Sequence, residues 1–103
     1  MIRFLLIKDE KTVEVKLEGD LDIDGTEVVE EELLPAIEKF SSVTLNLRDV
    51  PFVDSSGIGL LLNLVKTMEE KGITIVITNV REEVMDVFDL LQIPDILGEG
   101  VFI

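Results

Sequence analysis

Two short β-branched apolar runs, residues 43–47 and 73–77, flank a stretch at 55–71 whose apolar residues recur at helical spacing. This order of strand, helix and strand constrains the fold more than any other feature. Two buried strands joined through one helix read as a parallel crossover, because an antiparallel pair needs only a tight turn. Gly72 supplies the stop for the intervening helix.

The flanking segments extend this frame. Residues 12–18 alternate strictly, with Val13, Val15 and Leu17 on one side and charge on the other, which predicts a half-buried strand. Residues 4–8 form an earlier apolar run, and Asp9, Glu10 and Lys11 between the two suit a hairpin. From Asp24 onward Val29, Leu33, Ala36, Ile37 and Phe40 recur with a helical period, and Pro35 predicts a kink or a first-turn boundary within it. Val84, Val87, Phe88 and Leu91 predict a helix over 81–91, with Glu82 and Glu83 in its first turn, where acidic charge suits the helix dipole. Pro94 and Gly98 mark an irregular exit, and residues 101–103 are read as a short final strand. The expected architecture is an α/β fold: a mixed sheet of four or five strands, with an antiparallel opening hairpin and a parallel core, and three or four helices. Residues 1–103 are expected to form one domain.

Composition narrows function by exclusion. With no cysteine and no histidine, the chain lacks the ligands of zinc sites, thiol nucleophiles and the usual general base of a serine triad. Nine basic residues against 22 acidic ones give a net charge of −13, opposite to what a phosphate backbone or an anionic membrane surface attracts. No nucleic acid and no direct membrane contact are therefore expected. The apolar stretch at 4–7 is far too short for a signal-peptide core, and a cytoplasmic location is expected.

One segment carries chemistry. Asp54, Ser55 and Ser56 lie between a buried strand and a helix, and all three are good N-cap residues, so one caps the helix and another is spare. Gly57 and Gly59 then cost on the order of 1 kcal/mol each relative to alanine in a helix. Something must approach closely there, either the sheet beneath the helix or a partner or phosphate from outside. Neither a phosphate-binding glycine loop nor a hydrolase elbow is completed by the surrounding residues. Asp20, Asp22 and Asp24 follow the second strand, and where that strand neighbours the one ending near Asp49 they converge on Asp54 and the serines. On pattern alone this is an acidic turn beside a helix cap, a divalent-metal cluster, or the setting of a phosphorylated hydroxyl. On the helix, Ile58, Leu61, Leu62, Val65 and Met68 share one face, whereas Leu60 and Leu64 fall outside it. These two leucines form either an exposed docking shoulder or a face covered by a neighbouring helix or the C-terminal segment.

Gly19-Asp-Leu-Asp22, the run from Val43 through Asp54-Ser-Ser-Gly-Ile-Gly59, and Gly72-Ile-Thr-Ile-Val-Ile-Thr-Asn-Val80 resemble the anti-sigma factor antagonist family, the small bacterial STAS-domain proteins. The resemblance runs nearly the length of the chain. The segment 90–97 is similar to the family's closing segment, though Gln92 and Pro94 depart from its commonest wording. The resemblance implies a protein that is not an enzyme and needs no cofactor or metal. Its implied partners are an anti-sigma factor with ATPase-type serine kinase activity, which it binds when unphosphorylated and leaves when phosphorylated, and a cognate serine phosphatase. Carried over, the phosphate goes on Ser56, with Asp22, Asp54, Ser55, Gly57 and Gly59 around it.

Two rivals are retained. One is a STAS domain serving as a scaffold or as an accessory subunit of a transporter. The other is a magnesium-dependent phospho-aspartate receiver using Asp54 with Asp20 and Asp22, disfavoured because the chain opens on a hairpin and no lysine closely follows the 73–77 strand.

Overall fold

A computed structural model describes residues 2–103; Met1 and the side chain of Glu99 lie outside the described set. The chain opens with β1 (Arg3–Asp9) and β2 (Thr12–Glu18), continues through β3 (Ser42–Asp49) and α2 (Ser55–Glu70) to β4 (Thr74–Thr78), and ends with α3 (Glu82–Leu90) and α4 (Ile93–Leu97). Between β2 and β3 lie a 3-10 turn (Ile23–Gly25), a π-helical turn (Val28–Leu33) and the short α1 (Leu34–Ile37). The four strands stand in the order β1-β2-β3-β4. β1 and β2 are antiparallel, whereas the β2–β3 and β3–β4 pairs are parallel. The expected hairpin and parallel crossover are both present.

Register explains the core. Val15 stands opposite Leu6 on β1 and Leu45 on β3, and Leu45 stands opposite Ile77 on β4. Val13, Val15, Leu17, Val43, Leu45, Leu47, Ile75 and Ile77 consequently share one face, and all are buried. α2 supplies Ile58, Leu61, Leu64, Val65 and Met68 to the same cluster, and α3 supplies Val84 and Phe88. The other face carries Glu14, Lys16, Thr44, Asn46, Thr74 and Thr78. Buried Asn46 is satisfied there, donating from Nδ2 to Glu14 at 3.0 Å and accepting the Arg48 N–H at 3.0 Å.

Three differences from the sequence reading have physical causes. The helix expected from Asp24 has its expected first-turn boundary at Pro35, but the chain before it is not regular α-helix, because Pro35 lacks an N–H and its ring crowds the preceding turn. The chain widens into a π turn, in which the Leu34 N–H reaches Val29 O, and regular α-helix resumes with proline in the first turn. The irregular exit at Pro94 is a helix, α4, with Pro94 in its first turn and Gln92 left-handed at φ 58° before it. Residues 101–103 form no full strand: a single parallel bridge joins Phe102 to Ile77, and the Ile103 N–H donates to Ile77 O at 3.1 Å.

Leu60 and Leu64 are buried, so the exposed docking shoulder does not exist. α2 packs against β4 and also against the 3-10 turn and the π turn of the segment that follows β2. The apolar arc of α2 is wide because it has two surfaces to cover.

Candidate functional site

The site forms where β2 and β3 end and α2 begins. Beyond β2, Leu21 makes an isolated parallel bridge with Val53. The Leu21 N–H donates to Phe52 O at 2.9 Å, and the Asp54 N–H donates to Leu21 O at 3.3 Å. The two loops are therefore stitched together by main-chain hydrogen bonds, which sets Asp22 beside Asp54.

Both carboxylates act as caps. Asp54, in extended conformation, is the N-cap of α2, and its Oδ1 accepts the Gly57 N–H at 2.9 Å. Asp22 caps the 3-10 turn, accepting the Asp24 N–H at 3.1 Å. With Asp54 on capping duty, Ser55 and Ser56 become the first two residues of the helix proper. Ser55 is exposed and Ser56 half-buried. Among the described residues neither hydroxyl has a hydrogen-bond partner, so both serines are spare.

The two glycines separate into different roles. A Cβ on Gly57 would lie 1.8 Å from Leu21 O and 2.5 Å from Leu21 C. The first turn of α2 thus rests directly on the Leu21 backbone, and only glycine permits that approach. A Cβ on Gly59 would meet nothing within 4 Å. Gly59 is exposed on the turn carrying the serines, three residues beyond Ser56, where i and i+3 are neighbours on the helix surface. Its helix-weakening cost is offset by no packing inside this chain.

Two apolar residues that the sequence reading passed over sit on the stitched loops. Ile23 is 67% exposed and Phe52 is 51% exposed. Phe52 points outward because its neighbour Val53 pairs with Leu21 and points inward, and that pairing, between residues far apart in sequence, gave no local signal. Ile23 directly follows Asp22 in a tight turn and gave no periodic signal. Among the described residues, Asp20, Asp22 and Asp54 do not gather into a group able to hold a metal ion.

The arrangement is a surface platform: two spare hydroxyls at a helix N-terminus, a bare helical surface at Gly59, and the exposed apolar side chains of Ile23 and Phe52 on the adjoining loops. The sequence pattern of the STAS domain matches residues 4–102. The chain is similar to an anti-sigma-B factor antagonist of Bacillus subtilis, at 27% identity over 90 residues, covering 87% of this chain and 83% of that protein. An anti-sigma-B factor antagonist of Staphylococcus epidermidis is 31% identical over 85 residues, covering 82% of this chain and 79% of that protein. Among solved structures, the anti-sigma factor antagonist SpoIIAA in its unphosphorylated form superposes with a TM-score of 0.67 at 26% identity, covering 85% of this chain and 83% of that one.

Proposed function

This chain belongs to the STAS domain family, and from that membership we propose that it is an anti-sigma factor antagonist switched by phosphorylation of Ser56. In its unphosphorylated form it binds an anti-sigma factor that is itself an ATPase-type serine kinase, and transfer of phosphate to Ser56 releases it. A serine phosphatase resets the cycle. ATP and Mg²⁺ belong to the kinase, so this chain is a substrate. The observation that carries the reading is the unpartnered serine pair on the first turn of α2, held in place by the Asp54 cap and the Gly57 contact. An acceptor hydroxyl for phosphoryl transfer must be reachable and positioned, as the half-buried Ser56 with its unpartnered hydroxyl is, while charge stabilisation comes chiefly from the enzyme's metal and basic groups.

The physical logic of release is local. A phosphate adds about −1.5 to −2 charges at a helix N-terminus that tolerates them, beside two aspartates that do not. The contact surface consists of Gly59, over which a partner can lie close to the helix backbone, and the flanking Ile23 and Phe52 as apolar anchors. Adding an anion to a surface that must be desolvated weakens docking without refolding the domain.

The test is incubation with the cognate kinase and ATP. Wild type and Ser55→Ala should take up label, and Ser56→Ala should not. Label persisting in folded Ser56→Ala would overturn the assignment. In calorimetry Ser56→Ala should still bind the anti-sigma factor, and Ser56→Asp should bind more weakly; equal affinities would show that charge at this position is not the switch.

A further inference from the structure

The two edges of the sheet are unlike. At β4 the C-terminal residues bridge to Ile77. At β1, among the described residues, only β2 pairs with the strand, which leaves alternate N–H and C=O groups of Arg3–Asp9 facing outward. Two of the devices that usually blunt such an edge are absent, since β1 has no proline and its register with β2 is unbroken from Arg3↔Glu18 to Asp9↔Thr12, and the charges it does carry, Arg3, Lys8 and Asp9, are of both signs. Leu5 and Ile7 on this edge are 57% and 46% exposed.

We propose that the open edge of β1 pairs antiparallel with β1 of a second copy, about a twofold axis at Leu6, to make one continuous sheet across a dimer. The sequence of the strand, Arg-Phe-Leu-Leu-Ile-Lys-Asp, is complementary to itself in that register. Arg3 stands opposite Asp9 of the other copy, twice by symmetry. Phe4 stands opposite Lys8, whose stem and ammonium can lie over an aromatic ring. Leu5 stands opposite Ile7 on the exposed face, and Leu6 meets itself. Opposite charges and apolar residues that face each other across two strands stabilise the pairing, while like charges oppose it. Net charge singles out the same strand. In a chain of net charge −13, β1 carries two cations and one anion, so two copies brought together here escape the repulsion felt elsewhere on the surface. An isologous contact of this kind closes under twofold symmetry.

The experiment is sedimentation equilibrium of the full unphosphorylated chain from about 10 μM to about 1 mM at roughly 0.15 M salt, where long-range repulsion is screened. Wild type should show a reversible monomer–dimer equilibrium. Arg3→Asp and Asp9→Arg should each weaken self-association at least about fivefold, since each sets like charges opposite one another twice. Mixing the two variants should restore association to within about twofold of wild type, because only the heterodimer then sets Asp opposite Arg at both ends. Both residues are exposed, and circular dichroism checks that the variants are folded. Ile7→Thr keeps a β-branched strand former and should also weaken the dimer. A wild-type chain monomeric throughout the range, or variants whose mixture gains nothing over either alone, would overturn the proposal. Neither result bears on phosphorylation of Ser56, which is read out separately by kinase labelling.

Discussion

Gly57 and Gly59 stand two positions apart on one helical turn, yet a methyl group would have opposite effects at the two. At Gly57 it would strike the Leu21 carbonyl, a backbone group fixed by its hydrogen bond from the Asp54 N–H. Gly57→Ala should therefore cost about 3 kcal/mol or more in urea unfolding, because relief requires moving the helix off the sheet. At Gly59 the methyl enters open space. Gly59→Ala should stabilise by up to about 1 kcal/mol through helix propensity. It should also reduce affinity for the anti-sigma factor in calorimetry, and unchanged affinity would remove Gly59 from the contact surface. At this scale the sequence announced that close approach was needed but not where from. Three consecutive N-cap residues and two glycines fit several assignments, and only the Leu21–Val53 bridge, a contact between residues far apart in sequence, selects Asp54 as cap and Gly57 as the contact point.

The elements were legible wherever one period dominated. The alternation of Val13, Val15 and Leu17 and the i, i+3, i+4 spacing in α3 each admit a single secondary structure. Proline was legible at Pro35, where a boundary was expected and is found, and not at Pro94, where the same residue opens a helix instead of ending one; the outcome depends on what the flanking chain packs against. The width of the apolar arc on α2 was legible, but its meaning was not, since a neighbouring segment of the same chain and a docking surface demand the same leucines. Their burial fixes the outcome of substitution. Leu60→Ser with Leu64→Ser should lower stability by roughly 4–8 kcal/mol, because each change leaves a cavity and a buried hydroxyl. A thermal midpoint close to wild type would show that the segment around the π turn does not cover these side chains.

For the whole molecule, charge is the dominant unspent term. Against 22 acidic residues, the described residues form only three ion pairs, Arg3–Glu18, Lys71–Glu38 and Arg81–Glu83, all at the surface. Exposed pairs contribute little and lose little on screening. The remaining carboxylates repel one another, and that repulsion favours the expanded chain. Raising NaCl from about 10 mM to about 500 mM should therefore raise the thermal midpoint, because a Debye length falling from roughly 30 Å to under 10 Å shortens the reach of the repulsion. A midpoint that falls with salt would mean that attractive pairs outweigh it.

The bridge from the C-terminal residues to Ile77 has a consequence for how copies can add together. A sheet that offers pairing groups at both edges is bivalent, and bivalent units string into fibres. Here the far edge is only five residues long and already engaged at Ile77, so it offers a second copy less than β1 does. A pair joined through β1, as proposed, would expose at its two ends only these short, partly engaged edges, which favours a closed pair over a growing fibre.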